Sequence, residues 1–109
     1  MLVVDKPYEQ GVVLTIKEAR IDMSISRKFR EIVGKFLEKK PPVVIFDLHE
    51  TDYLDSSALG ALVTILRDVK NYGGEIRLAN LNQTLRTLFK LSKLESMFKI
   101  FDSVDDAQK

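Results

Sequence analysis

Hydrophobic and polar positions change period several times along the chain, and each change marks an element. Leu2–Val4 is a short apolar run, and Pro7 to Gly11 reads as a turn. Val12, Leu14 and Ile16 alternate with Val13, Thr15 and Lys17, the period of two that marks a strand. Together they predict an N-terminal hairpin whose second strand continues to about Ile21. Ile25, Phe29, Ile32, Val33, Phe36 and Leu37 then recur at helical spacing. Asp22, Ser24 or Ser26 is the expected cap of that helix, and Lys39-Lys40-Pro41-Pro42 its end, because proline cannot continue it.

Val43-Val44-Ile45-Phe46 is apolar without a break, the pattern of a central strand buried on both faces of a parallel sheet. A loop over His49–Asp55 follows. Leu59, Leu62, Val63, Leu66 and Val69 predict a second helix that stops at Tyr72-Gly73-Gly74. Glu75–Ala79 is a further strand. Asn80 or Asn82 is the expected cap of a third helix with Leu85, Leu88 and Phe89 facing inward. Met97–Phe101 predicts a last strand, and Val104–Lys109 a terminal turn of helix. Strand and helix alternate from residue 12 onward, which implies right-handed crossovers and an α/β sheet in one domain over residues 1–109. The apolar stretch Leu91, Leu94, Met97, Phe98 has two readings: core packing of the tail, or a hydrophobic rim at an interface.

Composition narrows the chemistry. Apolar residues make up 45% of the 109, enough for a core and too many for a disordered chain. Seventeen Lys+Arg against 16 Asp+Glu give a net charge of +1, so no overall field holds the chain on nucleic acid or an acidic membrane. The basic run within 27–40 reads as a solvated helix face. Without cysteine there are no disulfides, thiolate zinc sites or cysteine nucleophiles. A lone histidine, His49, excludes multi-histidine metal sites. The start has no signal-peptide pattern and no run is long enough to span a bilayer, so a soluble, cytoplasmic protein is expected.

Sites on open α/β sheets lie beyond the carboxyl ends of the strands, where helices present their N-termini. There the chain reads Asp55-Ser56-Ser57 straight into an apolar helix. Two readings follow: one of the three caps the helix and the others are bystanders, or a serine hydroxyl here accepts a phosphoryl group, because free N–H groups and the positive end of the helix dipole meet the anion. An enzyme reading is weaker. The acidic cluster Asp47, Glu50, Asp52, Asp55 near His49 reads as a solvated loop. Ser56 lacks the glycines of a nucleophile elbow.

Asp55-Ser56-Ser57-Ala58-Leu59-Gly60 resembles the signature of the STAS domain, and the chain is most similar to small single-domain bacterial anti-sigma factor antagonists of the SpoIIAA type. Ala58 stands where that family usually has glycine, and of its Gly-Glu-Leu-Asp motif only Asp22 is kept, at Ala19-Arg20-Ile21-Asp22. The resemblance implies an α/β STAS fold: one mostly parallel sheet of successive β-α units, with an N-terminal antiparallel hairpin strand. It implies a non-enzymatic partner switch without cofactor or metal. Ser56 is then the phosphoacceptor, with Ser57 its rival. The partners are an anti-sigma factor serine kinase, bound by the unphosphorylated form to free the sigma factor, and a serine phosphatase that restores that form, with no direct contact to nucleic acid or membrane. Asp22, Asp55, Ser57, Leu59 and Gly60 form the docking surface. The alternative is a STAS interaction module in another pathway, as a stress-complex scaffold or a transporter accessory subunit.

Overall fold

In the computed structural model, which describes residues 1–109, seven strands and four helices alternate much as the periodicity predicts. The main sheet has the order β1 (Leu2–Tyr8), β2 (Gly11–Lys17), β4 (Val43–Asp47), β6 (Glu75–Ala79), β7 (Lys99–Phe101). β1 pairs antiparallel with β2, and every other neighbour is parallel. The parallel strands are joined through α1 (Ser26–Leu37), α2 (Ser56–Asn71) and α3 (Gln83–Leu91). A short pair, β3 (Arg20–Ile21) with β5 (Tyr53–Leu54), stands outside this sheet. No helix is long and apolar enough to cross a membrane.

The two faces of the sheet follow from strand periodicity. Val12, Val44 and Ile76 share one register line and Leu14, Phe46 and Leu78 another. They point to the face where Phe29, Val33, Leu62, Ile65, Leu85 and Phe89 of the three helices close the main core. Val13, Val43, Ile45 and Ala79 point the other way, onto Ala107 of α4 (Val104–Gln108). β4 is buried along its whole length, as an uninterrupted apolar strand should be. At Gly11 a Cβ would stand 1.8 Å from the Val43 carbonyl oxygen, so only glycine lets β2 approach β4 there. Gly73, at φ +85°, closes α2 in the left-handed conformation.

Several expectations need correction. The second hairpin strand does not continue to Ile21: it stops at Lys17, and β3 turns away to pair with β5. The turn of the hairpin is only Glu9-Gln10, because Pro7 lies in β1 on the sheet edge, where its missing N–H costs no ladder bond. No side chain caps α1. Ile25 holds the cap position, while the Asp22 carboxylate is occupied by Ser24. Asn82, not Asn80, caps α3. The last strand starts at Lys99, since Leu94–Ser96 forms a 3-10 turn. The C-terminal apolar stretch packs into the core only in part: Phe98 is buried edge-on against Phe89, whereas Leu91 is 77% exposed.

Candidate functional site

Helix α2 starts where the sequence places it, and its cap is Asp55. With ψ of −176° the Asp55 backbone is still extended, so its side chain folds forward over the helix end. Oδ1 accepts the Ala58 N–H at 2.9 Å and the Ser57 hydroxyl at 2.7 Å. Oδ2 accepts the Met23 N–H at 2.8 Å from the loop before α1. One carboxylate thus ties two distant segments together. The Ser57 hydroxyl, and after it the Ala58 amide, hold the Asp55 carboxyl below its ordinary pKa, so it is ionised at neutral pH.

The two serines are therefore not equivalent. Ser57 spends its hydroxyl on Asp55. Ser56 is the first residue of the helix, is exposed, and makes no side-chain hydrogen bond. Its hydroxyl is free at the end of a sixteen-residue helix, where an added anion meets the positive end of the dipole.

The short β3-β5 pair positions the neighbours. Thr51 donates its hydroxyl to the Glu18 carbonyl at 2.8 Å, and the Asp52 N–H reaches the Ala19 carbonyl at 2.8 Å. Parallel register sets Ile21 beside Leu54, so the chain leaves both strands together, at Asp22 and Asp55. Asp22 is held below the ordinary carboxylate value, first by the Ser24 hydroxyl and then by the Ser24 N–H, with the Asp55 charge opposing. Both carboxylates are ionised at neutral pH, Asp55 next to Ser56 in the chain and Asp22 at the end of the paired strand. Gly60 is exposed, with open space where a Cβ would be. Leu59 is only 9% exposed and packs into the main core, so it presents an edge to this surface and no more.

Periodicity missed two parts of the surface. Met23 is 79% exposed beside the Asp55 carboxylate. Arg20 stacks its guanidinium 4.3 Å from the centroid of the half-exposed Tyr53 ring. A lone methionine between polar residues carries no period, and a two-residue strand is too short to show one.

The acidic loop is not wholly solvated, as the sequence suggested. Asp47 is 7% exposed at the carboxyl end of β4. It accepts from Asn80 Nδ2 at 3.0 Å, Thr15 Oγ1 at 3.3 Å and the His49 N–H at 3.2 Å, and it contacts His49 Nδ1 at 3.0 Å. Burial pushes this carboxyl up, but the hydrogen bonds from Asn80 and His49 outweigh it, so it sits below the ordinary value. His49 Nε2 lies 3.3 Å from Glu50, which also pairs with Lys17. Asp47 and Asp55 belong to separate networks with no shared partner.

The fold is thus a mostly parallel sheet with an antiparallel edge, and at one capped helix start it leaves a serine hydroxyl exposed and unbonded. The chain belongs to the STAS domain family, whose model matches residues 4–107. A STAS-domain containing protein of Pseudomonas aeruginosa is 36% identical over 104 residues, which cover 92% of this chain and 99% of that protein. The anti-sigma-B factor antagonist of Bacillus subtilis is 36% identical over 53 residues, 49% of each chain. Among solved structures, the anti-sigma factor antagonist SpoIIAA in its unphosphorylated form matches with a TM-score of 0.71 at 16% identity, over 98% of this chain and 94% of SpoIIAA. Its phosphorylated form matches at 0.70 and 16%, over 98% and 97%. At that identity the likeness is one of fold.

Proposed function

We propose that this protein is an anti-sigma factor antagonist whose unphosphorylated form binds an anti-sigma factor and frees the sigma factor. In this reading the anti-sigma factor is also a serine kinase that phosphorylates Ser56, and a serine phosphatase returns the protein to its binding form. One observation supports it above the rest: the Asp55 cap engages Ser57 and leaves the exposed Ser56 hydroxyl unbonded. The name of the Bacillus relative points to the same role.

The switch follows from charge. A phosphoryl group adds about −1.5 to −2 at neutral pH to a region that already carries the ionised Asp55 and Asp22. The helix end stabilises the added charge within the fold. A partner seated over Asp22, Asp55, Ser57, Gly60 and the edge of Leu59 meets both new bulk and repulsion. Release is then electrostatic and steric, with no refolding.

The test is a pull-down with purified kinase-type anti-sigma factors. Ser56→Ala is expected to bind and to remain bound in the presence of ATP. Ser56→Asp is expected to bind more weakly while its circular dichroism stays that of the wild type. An alanine variant that no longer binds, or an aspartate variant that unfolds, contradicts the proposal.

A further inference from the structure

The main sheet has two edges, and they are not alike. β7 is three residues long, and an edge that short offers little to another strand. β1 is seven residues long and pairs on one side only. Long edges are commonly blunted by proline or charge, but here Asp5, Lys6 and Pro7 all stand toward the turn. Leu2 and Val4, 60% and 43% exposed, occupy the other half. Val3 packs toward the main core, so by the period of two Leu2 and Val4 lie on the opposite face of the sheet. On that face α4 packs against β4, β6 and β7 and leaves β1 uncovered.

The hairpin decides which backbone groups of the edge are free. Successive residues of an antiparallel strand turn their N–H and C=O alternately to the partner strand and away from it. With Glu9-Gln10 as the turn, Tyr8 and Gly11 are the closing, hydrogen-bonded pair. Tyr8, Lys6, Val4 and Leu2 therefore bond to β2, whereas Pro7, Asp5 and Val3 turn outward. Pro7 fits that phase, because it has no N–H to give. Val3 and Asp5 carry both a donor and an acceptor to the open edge.

We infer that this edge is occupied by a second copy of the chain, joined β1 to β1 antiparallel about a two-fold axis at Val4. Charge and proline choose the register. If Asp5 faces Asp5, like charges stand opposite each other and Val3 meets Pro7, which lacks the N–H. If Lys6 faces Lys6, the like charges remain and Asp5 meets Pro7. Centring on Val3 pairs only Leu2–Val4 of the strand. With Val4 opposite Val4, Leu2 stands opposite Lys6, and Val3 and Asp5 of the two copies exchange their outward N–H and C=O groups. Leu2 and Val4 of both copies then form one apolar stripe across the joint, with the Lys6 stem along it. Asp5 shares a shallow pocket with Lys35 and Lys39 of α1, which offsets its approach to the second Asp5. Such a joint uses up the long edge of both copies and closes at two. It is small, so the dimer is weak and reversible. β1 carries none of the residues assigned to the Ser56 surface, so the dimer does not rest on that reading.

The test is sedimentation velocity from micromolar to millimolar chain, over which the wild type should pass from monomer to dimer. Val4→Lys and Val4→Glu change an exposed strand face, so their urea midpoints should stay close to that of the wild type. Each should weaken association about tenfold, and an equimolar mixture should restore it, because a two-fold axis at Val4 sets the two side chains opposite each other. Cross-linking reads the register, and the chain has no cysteine of its own to interfere. In a glutathione buffer Val4→Cys alone should link to itself, across a Cα separation of about 4.5 Å. Leu2→Cys and Lys6→Cys should link only when mixed, since like positions stand about 13 Å apart along the strands. A protein that stays monomeric throughout, a dimer indifferent to Val4→Lys, or Leu2→Cys that links to itself as readily as to Lys6→Cys would overturn the proposal.

Discussion

Two aspartates, Asp47 and Asp55, lie beyond the same end of the sheet and use their carboxylates in opposite ways. Each gathers several donors and bridges segments more than thirty residues apart, and each is held below the ordinary carboxylate value. Asp47 is buried, and its donors come from β2, from its own loop and from the turn after β6, so it locks three strand ends together. Asp55 lies at the surface, and one of its donors is the rival serine. The same hydrogen-bond chemistry fixes a frame in one place and, in the other, ties up Ser57 while the Ser56 hydroxyl stays unbonded. Burial makes the difference: the Asp47 carboxylate is nearly shut off from water, whereas the Asp55 carboxylate sits at a helix end beside the exposed Ser56.

The largest effect should come from Asp47→Ala. It leaves the half-buried Asn80 amide and Thr15 hydroxyl without their acceptor, which costs about 2 kcal/mol, read as a lower midpoint in urea. A gain or no change would mean that the Asp47 network does not brace the strands. The acid limb comes next. A carboxyl held below its unfolded value stabilises the fold above about pH 4, and that share is lost as pH falls through the lower folded value. Stability of Asp47→Asn should therefore fall less steeply below pH 4 than that of the wild type; equal slopes would contradict the assignment. The smallest change in stability is expected from Asp55→Ala, since water replaces the carboxylate at an exposed helix end. That variant frees the Ser57 hydroxyl, so whatever phosphate the kinase still transfers from its weakened dock should be shared between both serines, a ratio that peptide mass spectrometry reads.

Much of this was legible in the sequence because it depends on long, regular patterns. The unbroken Val43–Phe46 run marked the central strand, and the spacing from Leu59 to Val69 marked α2 with its glycine stop. Asp55-Ser56-Ser57 marked the helix start, and which of the three caps it needed only geometry to settle. What escaped is short or non-local. β3 and β5 are two residues each and exist because they pair with one another, so neither shows a period of its own. Asn80 looked like a cap because asparagine favours caps. In the fold it adopts a φ of 62°, which asparagine tolerates, and turns its amide to Asp47 across 33 residues. The α1 cap failed for a related reason: Ser24, two residues from Asp22, claimed the carboxylate first.

The most direct test of the account is to incubate the purified protein with ATP and the serine-kinase anti-sigma factors of its own organism, then map the phosphate by peptide mass spectrometry. Phosphate on Ser56, with Ser57 untouched in the wild type, is the predicted result. Phosphate on Ser57 would contradict the role given to the Asp55 cap, and a folded protein that none of those kinases modifies would contradict the switch itself.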